Sequence, residues 1–226
     1  MKNFTLMILC AGFGSRMLNL THSTPKPLLK YKNKILLKNT IDFFTNIGCD
    51  EILINTHYLH HKIKKYLDKN FKKYPIQIIY EKTILGTGGG IKNIFNHTKR
   101  NKICVVNSDI FWTKKNKSHI KNFLSNYQDV SYCKILLSKD INFLGLKKEN
   151  GDFNLKTNVV INWKSKNQKL YYSGLQIVSK NIFNNRKKIF PMNEIWTKLI
   201  NKHQIKGYVI PSKIRHIGDK KSILEN

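Results

Sequence analysis

The chain has 226 residues, of which 41% are hydrophobic and 11% aromatic, and this composition fits a globular protein. Its 41 Lys and Arg residues outnumber 13 Asp and Glu, which gives a formal net charge of +28. Such a charge suits a nucleic-acid-binding protein. However, the lysines are scattered along the chain in short groups, so we interpret the charge as compositional and expect no specific nucleic-acid partner. Nonspecific adhesion to RNA or DNA at low salt stays open.

The sequence contains no run of about 18 apolar residues, so no membrane span is predicted. The apolar start is short and leads into a glycine loop, which indicates a buried first strand instead of a signal peptide. The four cysteines are far apart and form no C-x-x-C pair, which predicts reduced core residues in a cytoplasmic protein. They are Cys10, Cys49, Cys104 and Cys133.

The first part of the chain alternates apolar runs of strand length with longer helical patterns. Strands are predicted at residues 4–10, 51–55, 76–80, 103–107 and 130–137, with a loop at 11–27. Helices are predicted at residues 36–47, 59–71, 88–95 and near 119–126. Strand–helix alternation with short connections predicts an α/β fold, a Rossmann-like three-layer sandwich around a mostly parallel sheet.

The pattern changes after about residue 142. Short strands are predicted at residues 142–147, 158–163, 170–178 and 206–210, with helices near 182–187 and 193–202 and a last segment at 214–226. Neither an internal repeat nor a low-complexity linker occurs. We therefore expect a single domain, residues 1–226, whose second half adds a substrate wall from about residue 141, and no further domain.

Two motifs near the start predict a phosphate site. In AGFGSR at 11–16, Gly12 and Gly14 let the backbone approach a phosphate closely, and Arg16 can bind phosphate oxygens bidentately. The third glycine of a Rossmann fingerprint and the Gly-Lys-Ser/Thr of a Walker loop are missing. In TPKPLL at 24–29, two prolines restrain Lys26, which suits an ammonium held over a phosphate. Taken alone, the glycine motif also fits an ordinary turn, and Lys26 also fits a solvent-exposed lysine in a stiff loop.

Two further motifs follow predicted strands. LGTGGGI at 85–91 begins a helix, where glycines allow a flat base to lie against the backbone, although glycine runs are more often flexible turns. CVVNSD at 104–109 carries Asp109 to the carboxyl end of a strand, where open α/β sheets place their sites. A carboxylate there suits Mg²⁺ bound to phosphates.

Together, the four motifs resemble the nucleoside-diphosphate-sugar pyrophosphorylases, a family of sugar-1-phosphate nucleotidyltransferases, over nearly the whole chain. Among its subfamilies, the sequence is most similar to the short N-acetylmuramate alpha-1-phosphate uridylyltransferases of cell-wall recycling. Supporting pieces are NTHYL at 55–59, DIFW at 109–112, GDF at 151–153, YSGLQI at 172–177 and HIG at 216–218.

The resemblance implies in-line attack of a sugar 1-phosphate on the α-phosphorus of a nucleoside triphosphate, with release of pyrophosphate. The favoured pair is UTP with N-acetylmuramic acid 1-phosphate. A guanylyltransferase for mannose or heptose 1-phosphate is the alternative, and a noncatalytic nucleotide- or RNA-binding protein is a remote one. The nucleotide is expected on residues 1–140 and the sugar phosphate on 141–226, in a cytoplasmic enzyme that we expect to be monomeric.

The resemblance also implies roles for individual residues. Arg16 would bind the β- and γ-phosphates, Lys26 would bridge the α-phosphate and the incoming phosphate, and Asp109 would hold Mg²⁺. His216 stands where many members have a second metal-binding aspartate; imidazole is the poorer Mg²⁺ ligand, so ligation by His216 and a hydrogen-bonded loop histidine are both open. The remaining expected contacts are Ala11, Gly12, Gly14 and Asn107 with the nucleotide, Thr87 and Gly88 with its base, and Asp152 with the sugar phosphate.

Overall fold

The computed structural model describes residues 3–145, 149–163 and 169–224. The strands are β1 (Phe4–Cys10), β2 (Lys30–Tyr31), β3 (Lys34–Ile35), β4 (Cys49–Thr56), β5 (Ile76–Tyr80), β6 (Lys102–Asn107), β7 (Ile110–Phe111), β8 (Cys133–Lys139), β9 (Phe143–Gly145), β10 (Phe153–Lys156), β11 (Val159–Trp163), β12 (Leu170–Ser179), β13 (Ile205–Ile210) and β14 (Ile214–His216). The helices are α1 (Leu36–Thr45), α2 (His60–Asn70), α3 (Gly86–Ile94), α4 (Lys117–Leu124), α5 (Met192–Ile200) and α6 (Lys220–Leu224).

A large mixed sheet with strand order β10-β11-β13-β8-β12-β6-β1-β4-β5 forms the centre of the molecule. Its first-half strands, β5, β4, β1 and β6, are all parallel, as the sequence predicts. β12 then runs antiparallel between β6 and β8, and β10 also pairs with β12, which closes β10, β11, β13, β8 and β12 into a small barrel. The α/β class is confirmed.

The prediction of a mostly parallel sheet is wrong for the second half of the chain. The β10–β11 hairpin has a turn of only two residues, and a connection that short permits only antiparallel pairing. In this half only β13, which follows α5, adds a parallel pairing to the large sheet, with β8.

Helices cover both faces of the sheet. On one face, α1, α2 and α4 pack against apolar side chains such as Leu6 and Ile8 of β1. On the other, α3 and α5 pack against residues such as Met7. Burial on both faces explains the continuous apolar sequence of β1.

Three predicted elements differ in the structure. The predicted helix at 182–187 is wrong: a 3₁₀ turn spans Lys180–Phe183, and Asn185 has a left-handed φ of 58°, which prevents helix continuation. The predicted loop at 11–27 contains a 3₁₀ turn, Ser15–Thr21. The predicted strand at 142–147 is confirmed as β9 only for Phe143–Gly145, and residues 146–147 lie outside the described part.

No helix in the described part of the chain combines the length and apolar character needed to cross a bilayer. The four cysteines are free thiols, three of them buried and Cys49 half-buried, which agrees with their prediction as reduced core residues.

Candidate active site

A cavity of about 380 Å³ opens at the carboxyl ends of the parallel strands β1, β4 and β6. This edge is where open α/β sheets bind their ligands, because the loops that follow parallel strands meet there. Most of the residues singled out in the sequence line it: Ala11, Gly12, Gly14, Arg16, Lys26, Thr87, Asn107 and Asp109. The four motifs, widely spaced in the chain, are therefore brought into one pocket.

The glycine loop after β1 owes its shape to Gly14. This residue has φ of 71°, and a Cβ at its position would lie 3.0 Å from Thr21 Cγ2 and 3.1 Å from Lys26 Cβ. Thr21 Oγ1 donates a hydrogen bond to the Gly14 carbonyl at 3.1 Å. Left-handed backbone and tight packing both require glycine here, and the turn they stabilise delivers Arg16 to the pocket.

Gly12 differs, because a Cβ there would meet no atom within 4 Å. Packing within the chain therefore does not require glycine at this position. The open space lies at the pocket lining, where a missing side chain leaves the backbone accessible to a ligand.

Lys26 and Asp109 line the pocket and form a polar cluster with His216. Lys26 Nζ donates to Asp109 Oδ2 at 2.5 Å, and His216 Nε2 lies 3.2 Å from the same oxygen. The Lys26 and Asp109 side chains are only 12% and 13% exposed. Burial alone would raise the pKa of Asp109, but the charge of Lys26, together with His216, holds that pKa well below its usual range. Asp109 is thus an ionised carboxylate at neutral pH.

The second oxygen of Asp109 is the group that fits a metal ion. Oδ1 is buried and makes no hydrogen bond among the residues that the structure describes. Mg²⁺ prefers hard oxygen ligands and commonly binds through one or two carboxylates plus phosphates. No group of three or more His, Cys, Asp and Glu residues in the described ranges could hold a metal. The residues present therefore suit an ion held by Asp109 and shared with a bound phosphate.

Two pocket residues, Asn55 and Glu81, were missed by the sequence analysis as site residues. Asn55 Oδ1 accepts from Cys10 N at 3.1 Å, and its Nδ2 donates to Glu81 Oε1 at 2.8 Å. Leu85 N donates to Glu81 Oε2 at 3.2 Å. Glu81 directly follows the predicted strand at 76–80, so the rule that singled out Asp109, a scarce acid at a strand end, could have found it.

Cys10 also lines the pocket, where a thiol could be taken for a nucleophile. Burial raises the pKa of the Cys10 thiol to about 12, against the lowering effect of a hydrogen bond with Ser108. The thiol stays protonated at neutral pH and is therefore unsuited to nucleophilic attack.

A family model described as nucleotidyl transferase matches residues 5–141, more than half of the chain. The chain belongs to the nucleotidyl transferase family. This finding confirms the family resemblance stated from the motifs. The matched segment contains all four of them and ends within the turn that precedes β9.

Curated relatives of this nucleotidyl transferase differ in their substrates. The chain is 28% identical to D-glycero-alpha-D-manno-heptose 1-phosphate guanylyltransferase of Campylobacter jejuni over 187 residues, covering 79% of this chain and 77% of the relative. It is 24% identical to N-acetylmuramate alpha-1-phosphate uridylyltransferase of Caulobacter vibrioides over 227 residues, covering 96% and 93%.

Solved structures share the fold. The crystal structure of HddC from Yersinia pseudotuberculosis superposes with a TM-score of 0.76 at 22% identity and covers 97% of this chain and 96% of its own. A UDP-glucose pyrophosphorylase complexed with UDP-glucose has a TM-score of 0.78 at 17% identity and covers 99% and 97%. At 22% and 17% identity, these similarities show a shared fold and nothing about the substrate of this chain.

Three predicted site residues lie outside the pocket lining: His216, which contacts Asp109 from behind it, Gly88 and Asp152. Gly88 is buried against Phe190, and a Cβ on it would lie 2.4 Å from Phe190 Cε2. Its glycine therefore serves close packing of α3, while the neighbouring Thr87 lines the pocket. Asp152 Oδ2 accepts from Tyr172 N at 3.0 Å, which ties it to β12 in the barrel half.

Proposed function

We propose that this nucleotidyl transferase joins a nucleoside triphosphate to a sugar 1-phosphate and releases pyrophosphate. The observation that carries the proposal is the convergence of Arg16, Lys26 and Asp109 on one pocket at the carboxyl edge of the sheet. Cations of this kind bind phosphates, and a carboxylate in the same pocket suits a metal-assisted displacement.

The reaction needs positioning and charge neutralisation more than a protein nucleophile. In the proposed mechanism, the glycine loop cradles the triphosphate and Arg16 binds its β- and γ-phosphates. Lys26 lies between the α-phosphate and the incoming sugar phosphate, where its charge offsets the repulsion between two anions. An oxygen of the sugar phosphate then attacks the α-phosphorus directly, and pyrophosphate leaves.

Mg²⁺ is the cofactor that we assign to this site. Asp109 would hold it through Oδ1, which has no hydrogen-bond partner within the described ranges, with His216 beside the other oxygen. When bound, the ion supplies positive charge to the phosphate oxygens. Once the phosphates are bound, the cation would also offset the repulsion between them and the Asp109 carboxylate.

We infer UTP and N-acetylmuramic acid 1-phosphate as the favoured substrates, in a route that salvages cell-wall sugars. The support is the sequence resemblance, which includes GDF at 151–153, and a match to the Caulobacter uridylyltransferase that spans 96% of the chain. The experiment incubates the protein with Mg²⁺, each of the four common nucleoside triphosphates and a panel of sugar 1-phosphates, and measures pyrophosphate. Preference for GTP with mannose or heptose 1-phosphate would overturn these substrates and leave the reaction class intact. No pyrophosphate from any pair would contradict the reaction class.

A guanylyltransferase is the second candidate, and Glu81 is the observation that favours it. Its carboxylate lines the pocket and has lone pairs left after the bonds from Asn55 and Leu85. Guanine presents two adjacent donors, N1–H and N2–H, which a carboxylate accepts as a pair. Uracil presents a single N–H, and a carbonyl oxygen lies on each side of it. A carboxylate that accepts from this N–H places its second oxygen against one of those carbonyl oxygens, and the two repel each other.

The variant Glu81→Gln tests this second candidate. If Glu81 reads guanine, the ratio of kcat/KM for GTP to that for UTP should fall about tenfold, because one charge-assisted hydrogen bond is lost. An equal loss with both triphosphates would mean that Glu81 supports the pocket through Asn55 and Leu85 without reading the base.

A further inference from the structure

The small sheet β7-β14-β9 has one face towards the active site and one face away from it. His216 of β14 lies opposite Ile110 of β7 and reaches Asp109 in the active site. Arg215, the preceding residue, lies opposite Phe111 and Leu144. Because successive side chains of a strand point to opposite faces, Arg215 and Phe111 are directed away from the active site.

A second cavity, of about 760 Å³, opens on that opposite face. We call it the rear pocket and define it by its cations Lys32, Lys114, Lys115, Lys213 and Arg215. The described residues that line it include no Asp or Glu. The four lysines among these cations are exposed and place positive charge around one concave space, so electrostatic attraction favours the entry of an anion.

Two turns of the chain bring lysines to the rear pocket. The 3₁₀ turn Lys114–Asn116, which precedes α4, brings Lys114 and Lys115 to the pocket and has no acidic residue in its first turn. The side chain of Asn116 caps this turn by accepting a hydrogen bond from Thr113 N at 2.8 Å, so the positive charge here comes from the lysine side chains. Lys32 has a left-handed φ of 45° in the turn between β2 and β3, and its Nζ lies 5.8 Å from the centroid of the Tyr31 ring.

The wall of the rear pocket is apolar. Tyr31 and Phe111 pack edge to face with ring centroids 4.9 Å apart, and the Arg215 guanidinium lies 5.8 Å from the Tyr31 ring. Leu144 continues this surface along the sheet. The cavity is much larger than an inorganic phosphate. It therefore has room for an uncharged portion of a ligand, which would pack on the apolar wall.

We propose that the rear pocket is a second ligand site, which binds a small organic anion carrying two or more phosphate groups. The phosphates lie among Lys32 and the two lysines of the turn before α4, Lys114 and Lys115, and the uncharged part of the ligand packs on Phe111 and Leu144. This site is separate from the pocket of Asp109 and does not rest on the proposed function.

The test titrates metal-free protein with inorganic pyrophosphate at constant ionic strength in a calorimeter. We expect two sites in the unchanged protein, one of which is weakened by Arg16→Ala. The double variant Lys114→Gln/Lys115→Gln should weaken the other site about a hundredfold, since each lost charged contact costs about tenfold in affinity. The control Lys187→Gln/Lys188→Gln removes the same charge from two adjacent exposed lysines and should leave both sites within about twofold.

Two outcomes overturn the proposal: both sites survive in Lys114→Gln/Lys115→Gln, or the control variant weakens binding as much. A single-stranded RNA that displaces pyrophosphate and loses equal affinity in both variants would also overturn it, because the surface would then bind polyanions by net charge alone. If Arg16→Ala has no effect while the Lys114 and Lys115 variant loses its site, the rear pocket stands and the proposed function loses support.

Discussion

Replacing Lys26 with Met should destabilise the metal-free protein by about 3 kcal/mol at neutral pH. The side chains of Lys26 and Asp109 are 12% and 13% exposed, and Met keeps most of the volume of the lysine stem while removing its charge. Breaking a buried ion pair by deleting one partner costs about 3–5 kcal/mol, because the remaining charge stays out of water. We expect the lower end of that range, since His216 still lies 3.2 Å from Asp109 Oδ2.

The pH dependence of this loss has a definite sign. In the unchanged protein, Lys26 and His216 hold the pKa of Asp109 below its ordinary value of about 4, so the stability from this group is present above about pH 4 and is lost as pH falls further. In Lys26→Met, burial persists without the cation, so the pKa of Asp109 rises and the folded variant takes up a proton sooner. The difference in stability between the two proteins should therefore shrink as pH falls from neutral towards about 4.

Urea unfolding followed by circular dichroism measures both effects. The double variant Lys26→Met/Asp109→Asn provides the decisive comparison, because neutralising the stranded carboxylate should recover most of the lost free energy of unfolding. A loss below about 1 kcal/mol in the single variant, or no recovery in the double variant, would refute the reasoning. Turnover should be about a hundredfold lower in both Lys26→Met and Lys26→Ala, since a positioned charge is gone.

The other predictions concern the active site and the packing of the glycines near it. Arg16→Ala should lower turnover by about a hundredfold with folding intact, and near-normal activity would refute its phosphate-binding role. In titrations of rate against Mg²⁺, Asp109→Asn should abolish most activity, His216→Ala should be milder and His216→Asp should be tolerated; equal damage from the first two would make the histidine a full ligand. Gly88→Ala should lower the free energy of unfolding by about 1–2 kcal/mol through overpacking, partly offset by helix propensity. Gly12→Ala, which meets no atom within 4 Å, should leave thermal unfolding unchanged.

Local sequence determined the parallel half of the sheet and much of the pocket. Apolar runs such as that of β1 follow from burial on both faces, and short strand–helix connections leave few arrangements for such strands. In parallel strands, residues that follow the carboxyl ends must meet at one edge. For that reason, Asp109 could be placed at this edge from its position after a predicted strand, whereas Arg16 and Lys26 were assigned to the same site through the family resemblance.

Only the tertiary structure decided the features that depend on contacts between distant segments. The barrel depends on which strands pair with β12, and local patterns do not encode a pairing partner. The contact of Gly88 with the base stays a prediction, and only the structure shows that Phe190, about a hundred residues later, packs closely against this glycine. The rear pocket exists because β14 places consecutive residues, Arg215 and His216, on opposite faces of a sheet whose other strands come from elsewhere in the chain.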